Sequence, residues 1–235
     1  MKLKYDAVLF DFFGTLVPNF TFSAHKKNLN KVAEKVGAPS EIFIERWFGA
    51  FRERVTGEWP DTYSAIRNIC NELGVFPDNK QLTSAAEIRF EFMRSNTYPR
   101  KDAIETLSQI KELDLKLGLI SDCSSELPDA WDQTEFAPYF NVTVFSCKQG
   151  TKKPDPLMYE TACQSLKIAP EKCLYIGDGG SNELTGALNV GMTPVLLFDL
   201  EEESNPDTHR VEGEEWYGPK INTLSEVLGL LVFEF

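Results

Sequence analysis

Residues 173–192, CLYIGDGGSNELTGALNVGM, contain a short apolar run, a polar glycine-rich turn and a helical pattern in direct succession. The apolar run at 173–176 is continuous rather than alternating, as expected of a strand buried on both faces of a parallel sheet. The helical pattern over 182–190 places its leucines and alanine on one side. This order of strand, turn and helix predicts one unit of a doubly wound α/β sheet.

Four more apolar runs have the same character and predict further strands of this sheet. They lie at 7–10, 115–120, 142–145 and 194–198. Helical patterns at 99–113 and 156–167 separate them, as crossover helices separate parallel strands. The predicted fold class is therefore α/β, with a doubly wound parallel-sheet core.

A segment with no convincing strand, roughly residues 18–95, follows the first strand. Glycine- and proline-containing breaks divide it into helical stretches near 23–36, 40–56, 62–73 and 79–95. The second stretch repeats large apolar residues at i, i+4 spacing, which favours the core of a helical bundle. We therefore predict two domains: an α/β core from 1–17 plus 96–235, and an inserted all-helical domain from 18–95.

The composition excludes several classes of partner. The formal net charge is −12, so we expect no general attraction to nucleic acid or to an anionic membrane. The five cysteines form no CxxC pair, which favours free thiols in a reducing compartment. Without an apolar run of about 18 residues or a secretory signal pattern, the predicted location is the cytoplasm. The chain could be a monomer or a homodimer.

Two smaller expectations concern surface residues. The chain has only two histidines, His25 and His209, so we expect no histidine-based catalytic triad, and both are predicted to lie on the surface. The acidic stretch at 201–207 is predicted to be a solvated loop.

Polar residues follow four of the predicted strands. Ligands in open α/β sheets bind at the carboxyl ends of the strands, so we expect these side chains to meet at one edge of the sheet. They are Asp11 and Thr15 after the first strand, Ser121 and Asp122 after the second, Lys153 beyond the third, and Asp178, Asn182 and Glu183 after the fourth.

The chemistry of these groups is coherent. Asp11 and Asp178 would repel each other strongly unless a hard cation such as Mg²⁺ lay between them. That cation would also offset the charge of an incoming phosphate, and Lys153 would add a fixed positive charge. Ser121 and nearby backbone N–H groups can hold phosphate oxygens. A carboxylate nucleophile would then form a covalent intermediate that water cleaves.

Together these segments resemble the four motifs of the haloacid dehalogenase (HAD) superfamily of hydrolases. The first to fourth motifs correspond to DFFGTL (11–16), LISD (119–122), KKPDP (152–156) and IGDGGSNELTGALNVGM (176–192). Their order and spacing match, and the resemblance covers nearly the whole chain. It implies that the sheet is a Rossmann-like hydrolase core and that the helical insert is the cap that covers the substrate.

The resemblance implies catalytic roles for the matching residues. Asp11 would be the nucleophile, and Thr15 would orient its loop. Ser121 would bind the transferring group, with Asp122 beside it in the substrate site. Lys153 would pair with both the transferring group and Asp11.

It also implies a Mg²⁺ site. The ligands would be the carboxylates of Asp11 and Asp178 and the backbone carbonyl of Phe13. Asn182 and Glu183 would lie in the outer shell.

One position departs from the phosphatases of this superfamily. They usually carry a second aspartate, a general acid and base, two residues after the nucleophile, and here Phe13 stands there. General acid–base catalysis typically contributes about 10²–10⁴-fold. We therefore expect slow cleavage of poor leaving groups, unless another acid, for example from the cap, replaces it.

Three functions follow from this departure. The first is a Mg²⁺-dependent phosphatase acting on a small phosphorylated metabolite. The second is a 2-haloacid dehalogenase, because those enzymes resemble one another in having an aromatic residue at this position, and halide leaves without a proton. They also lack the acid of the fourth motif and use no metal, so Asp178 favours the phosphatase. The third is a binding module with a decayed site.

The sequence does not identify the cap residues that would contact the substrate. The phosphonate-cleaving branch of the superfamily would need a cap lysine, which no motif singles out. Candidates for substrate contacts are Arg46, Arg52, Arg54, Glu58 and Trp59.

Overall fold

The computed structural model describes residues 2–211 and 213–232. They form a six-stranded sheet of order β3-β2-β1-β4-β5-β6 in which every pairing is parallel. The strands are β1 (Ala7–Phe10), β2 (Lys116–Ser121), β3 (Val142–Phe145), β4 (Cys173–Gly177), β5 (Thr193–Leu197) and β6 (Lys220–Ile221). The predicted doubly wound α/β fold is confirmed, and only the two-residue strand β6 was missed.

Helices cover both faces of the sheet and fill the segment after β1. The α-helices are α1 (Phe22–Val36), α2 (Ser40–Gly49), α3 (Phe51–Val55), α4 (Thr62–Glu72), α5 (Asn79–Arg94), α6 (Ala103–Glu112), α7 (Glu126–Ala130), α8 (Ser146–Gln149), α9 (Pro156–Leu166), α10 (Glu183–Asn189), α11 (Leu200–Ser204) and α12 (Val227–Leu230). Short 3₁₀ turns lie at Trp131–Gln133, Pro170–Lys172, Gly180–Asn182 and Leu224–Glu226. No helix in the described ranges has both the length and the apolar character needed to cross a bilayer.

The central strand β1 shows why the apolar runs are continuous. Val8 and Phe10 point into one apolar core, whereas Ala7 and Leu9 point into the other. All four side chains are fully buried. Successive residues of a strand face opposite sides of the sheet, so a sheet covered on both faces needs apolar residues at every position.

Helices α1, α2, α4 and α5 pack around an apolar core of their own, which includes Phe43 and Trp47. The predicted inserted helical cap is thus part of the fold, while the exact limits 18–95 and 1–17 plus 96–235 stay a prediction. The predicted second helix is interrupted at Ala50, whose ψ of 25° departs from helical geometry between α2 and α3.

The acidic stretch at 201–207 was wrongly predicted to be a loop, because α11 covers part of it. The side chain of Asp199 caps this helix by accepting hydrogen bonds from the backbone N–H groups of Glu201 and Glu202. Arg100 forms ion pairs with both Asp199 and Glu202. A cap and a partly buried cationic partner therefore stabilise a helix that the charge pattern alone did not predict.

Candidate active site

Asp11 lies directly after β1 and is nearly buried, with 4% of its surface exposed. Its backbone N–H donates to the carbonyl of Ile176 in the neighbouring β4, which fixes the end of the strand. The ammonium of Lys153 lies 2.5 Å from Oδ1 of Asp11. Asp122 holds the lysine segment in place, since its Oδ1 accepts a hydrogen bond of 2.9 Å from the backbone N–H of Lys153.

Lys153 also contacts Glu183, the first residue of α10, with 2.5 Å between Nζ and Oε2. The hydroxyl of Tyr175 donates to the same oxygen at 2.8 Å, and the backbone N–H of Gly179 donates to Oε1 at 3.0 Å. Glu183 is completely buried. These donors orient its carboxylate toward the ammonium rather than toward solvent.

Asp178 follows β4 and completes the acidic cluster. Its Oδ2 accepts hydrogen bonds of 2.9 Å from Asn19 Nδ2 and from Arg210 Nε, and its Oδ1 accepts one of 3.0 Å from the backbone of Gly180. Gly14 packs against this carboxylate with a φ of +83°, and a Cβ there would lie 2.2 Å from Oδ2. The glycine of the DFFGTL segment is therefore required both by its backbone conformation and by this close approach.

Burial governs the ionisation of the cluster. It raises the pKa of Asp11 to about 6, with Lys153 opposing the shift and Asp178 adding to it. Burial and the charge of Asp11 raise the pKa of Glu183 well above its ordinary value, although Lys153 opposes this. Burial would lower the pKa of Lys153, but the carboxylates of Asp11 and Glu183 hold it well above its ordinary value.

The cluster fits a hard divalent cation. Asp11, Asp178 and Glu183 each offer a carboxylate oxygen, and the three oxygens lie within 4.8 Å of one another. Carboxylate oxygens are the ligands that Mg²⁺ prefers in proteins. Three buried carboxylates against the ammonium of Lys153 and the guanidinium of Arg210 still leave a negative excess that a cation would offset.

The remaining predicted site residues lie around this cluster in different environments. Thr15 and Ser121 are fully buried, and their hydroxyls have no hydrogen-bond partner among the described residues. Asn182 is exposed, with a positive φ of 51°, at the start of α10. The proposed roles of these three residues stay predictions.

A cavity of about 370 Å³ opens above the cluster, between the sheet edge and the helices of the insert. The carboxylates of Asp11, Asp122 and Asp178 and the ammonium of Lys153 belong to its lining. Phe13 also lines it, and its ring packs against those of its neighbour Phe12 and of Phe20 in the connection to α1, at 5.0 and 5.1 Å between centroids. An aromatic ring therefore occupies the place where a second aspartate would face the substrate.

The insert supplies aromatic and cationic side chains to the lining of the cavity. Arg54 is the one cap candidate from the sequence that lines the cavity among the described residues, whereas Arg46 pairs with Glu72 at the surface. Lining residues that the sequence did not suggest include Asn19, Phe22, His25, Phe48, Arg89, His209 and Arg210.

The surface prediction for the two histidines was wrong. His25 is only 6% exposed and stacks on Phe92 with 5.5 Å between ring centroids. His209 is partly buried and meets the ring of Phe22 edge-on at 4.4 Å. Burial lowers the pKa of both, that of His25 to about 2, so His25 is a neutral part of the aromatic wall.

A family model described as haloacid dehalogenase-like hydrolase matches residues 5–191. The chain belongs to this family. The motif resemblance is thus confirmed, and with it the assignment to the hydrolases.

Three known proteins illustrate where this HAD-like hydrolase stands. The glyceraldehyde 3-phosphate phosphatase of Methanopyrus kandleri is 25% identical over 210 residues, which are 86% of this chain and 89% of that protein. The 2-haloacid dehalogenase of Pseudomonas syringae has a similar structure, with a TM-score of 0.71 and 18% identity over 96% of this chain and 97% of that one. A HAD family enzyme from Bacteroides thetaiotaomicron, solved with magnesium and inorganic phosphate as an Asp-to-Ala variant, has a TM-score of 0.61 and 18% identity over 91% and 97% of the chains. The structural likenesses concern the fold alone.

Proposed function

We propose that this HAD-like hydrolase is a Mg²⁺-dependent phosphatase of a small phosphorylated metabolite, with Asp11 as its nucleophile. The observation that carries the proposal is the close approach of the Asp178 carboxylate to those of Asp11 and Glu183, within 4.8 Å. The resemblance implies that metal-independent dehalogenases lack an acid at this position, whereas an acid here suits a cation that accompanies a phosphate.

The geometry suits attack by a carboxylate. The Lys153 ammonium at 2.5 Å keeps Asp11 ionised and oriented, and it can also pair with a phosphate oxygen. A carboxylate oxygen of Asp11 would form a bond to phosphorus while the ester oxygen leaves with the electrons of its P–O bond. Attack by water on the aspartyl phosphate would release inorganic phosphate and regenerate Asp11. Bound Mg²⁺ would supply charge stabilisation to the phosphate oxygens.

The leaving group has no assigned proton donor in this mechanism. Phe13 offers no proton, so an alkoxide would have to take one from water or from another acid in the cavity. Aryl phosphates release a much less basic oxygen than alkyl phosphates do. We therefore expect aryl phosphates to be cleaved faster than alkyl phosphates.

Two relatives support the assignment. The protein from Methanopyrus kandleri is named for phosphate-ester hydrolysis, and the enzyme from Bacteroides thetaiotaomicron was solved with magnesium and phosphate. The name of the first agrees with a small phosphorylated substrate, and the second shows that a protein of this fold can hold magnesium together with phosphate.

The test is a panel of aryl and alkyl phosphates, assayed for phosphate release by metal-stripped protein with added MgCl₂ or with EDTA. We expect release with MgCl₂ and none with EDTA. Release that continues unchanged in EDTA would contradict the proposal.

A second candidate function is 2-haloacid dehalogenation, which Phe13 favours because halide leaves without a proton. Its test is halide release from 2-haloacids in EDTA. If neither phosphate nor halide is released but small anions still bind, the third function, a binding module, gains support.

A further inference from the structure

The cap end of the cavity holds two buried arginines. Arg54 at the end of α3 is 7% exposed, and Arg89 in α5 is 2% exposed, yet both line the cavity. Each guanidinium makes one hydrogen bond within the described residues: Arg54 Nη2 donates to the carbonyl of Trp47 at 3.2 Å, and Arg89 Nη1 donates to Oδ1 of Asn28 at 2.9 Å. A guanidinium has five N–H donors, so most of their donor capacity is unused.

The charge of this pair is only partly balanced. The nearest acid is Glu126 in α7, whose Oε1 lies 3.8 Å from Arg89 Nε, too far for a hydrogen bond. Glu126 is 2% exposed. One buried carboxylate thus faces two buried guanidinium groups, and the other acid whose charge acts on Arg54, Glu53, is partly exposed and lies near Arg46.

An uncompensated buried charge is costly. Removing one partner of a buried pair strongly destabilises a protein, because the other charge stays without compensation. Burial lowers the pKa of Arg54 to about 10, with the charge of Arg89 acting in the same direction and Glu126 opposing it. An anion in the cavity would relieve this cost.

Aromatic side chains also line the cavity. The rings of Trp47 and Phe92, outside the lining, pack against the guanidinium of Arg89, with 5.0 and 5.1 Å from its Cζ to the ring centroids. Phe13, Phe48 and His25 add further aromatic surface, and the volume of about 370 Å³ admits only a small ligand. The cavity lining therefore combines the acidic cluster at the sheet edge, aromatic side chains and the two arginines of the insert.

We propose that Arg54 and Arg89 form a subsite for a second oxyanion of the substrate, a carboxylate or a phosphate, separated from the reacting phosphate by an apolar spacer. The position of the reacting phosphate rests on the proposed function. A guanidinium suits such a group because it can bind a carboxylate or a phosphate through two parallel hydrogen bonds.

Stable phosphonates test the subsite without any turnover. Isothermal titration calorimetry would compare benzylphosphonate, 4-carboxybenzylphosphonate and 1,4-phenylenebis(methylphosphonate), with and without MgCl₂. Two of these ligands carry an oxyanion at each end. We expect at least one of the two to bind about tenfold more tightly than benzylphosphonate, as a charge-assisted hydrogen bond predicts. The tighter of the two identifies the second oxyanion as a carboxylate or a phosphate. Equal binding of all three within about twofold would overturn the proposal.

Variants then locate the effect. Arg54→Gln and Arg89→Gln should each remove most of the tenfold advantage while the affinity for benzylphosphonate stays within about twofold. The matched control is Arg67→Gln, an exposed arginine of α4, which should keep the advantage. Equal loss of all three ligands in the Arg54 and Arg89 variants would mean that these arginines hold the reacting phosphate instead, which also overturns the proposal.

Two safeguards keep the outcome clear. Thermal unfolding reports whether the variants fold, and if they do not, the comparison of ligands on the wild-type protein decides alone. The proposed function can fail separately: absence of phosphate release together with a retained preference for the second oxyanion would refute the phosphatase and leave the subsite standing.

Discussion

The Nε atom of Arg210 donates a hydrogen bond of 2.9 Å to Oδ2 of Asp178. A guanidinium and a divalent cation would therefore compete for the same carboxylate. Asn19 donates to that oxygen as well. Arg210 is 23% exposed and also pairs with Glu203 at the surface, so it has an alternative partner when a metal ion approaches.

We predict that Arg210→Gln increases the affinity for Mg²⁺ by about tenfold, because a positive charge beside the ligand repels the ion. Calorimetric titration of the metal-free protein with MgCl₂ would measure it. Arg210→Lys keeps the charge and should stay close to wild type. An unchanged or weaker affinity in the glutamine variant would show that Arg210 orients Asp178 for the metal rather than competing with it.

Asp11→Asn should remove hydrolysis, because a neutral amide is neither a nucleophile nor a good cation ligand. The measurement is phosphate release from an aryl phosphate in MgCl₂. Asp132→Asn, at an exposed site, controls for a general effect of losing a carboxylate. Residual turnover above about a tenth of wild type would refute the assignment of the nucleophile.

Phe13→Asp should restore a proton donor to the cavity. We expect the rate on alkyl phosphates, relative to that on aryl phosphates, to rise by about 10²-fold. The ratio of the two rates cancels any change in the amount of folded enzyme, and Phe13→Asn controls for the loss of the ring. A fall in the ratio would indicate that the ring itself contacts the substrate.

His25 should make the stability of the protein depend on pH. Burial, followed by the charges of Arg89, His209 and Arg54, lowers its pKa to about 2 in the folded state, against an ordinary value of 6.5. Below that ordinary value the unfolded chain binds a proton that the folded chain does not. The free energy of unfolding therefore falls with falling pH, by about 1.4 kcal/mol per unit for this one group.

Urea denaturation of wild type and His25→Phe at about pH 7.5 and about pH 5.5 would measure this contribution. The phenylalanine keeps the aromatic packing, and the other titrating groups are common to both proteins. We expect the variant to lose less stability on acidification. An equal loss in both proteins would contradict the prediction.

The sequence predicted the sheet and the acidic cluster because both follow from local patterns. Each buried strand is a continuous apolar run, and parallel strands bring the residues that follow them to one edge. Asp11, Lys153 and Asp178 therefore meet although they are far apart in the chain. Sequence spacing also placed the helices of the insert, apart from the break at Ala50.

The partners of this cluster were not predictable in the same way. Arg210 and His209 belong to a segment after α11 without periodic pattern, and their contacts with Asp178 and Phe22 depend on the folded chain. Arg89 is buried in the fold, but the sequence predicts an exposed position for a helical arginine, because arginine is rarely buried. Only the packing of the insert over the sheet reveals these side chains as cavity residues.

The carboxylate of Glu202 in α11 forms hydrogen bonds with both chain segments that join the insert to the sheet. The backbone N–H of Asn19, on the way into the insert, donates to its Oε1 at 3.3 Å, and Arg100, on the way out, contacts the same oxygen at 2.5 Å. The segments that enter and leave the insert therefore share one anchoring carboxylate, beside the ion pair of Arg100 with Asp199. Loss of the Glu202 carboxylate would loosen both segments at once and so change how quickly small molecules enter and leave the cavity, while Asp11 and Lys153 kept their positions.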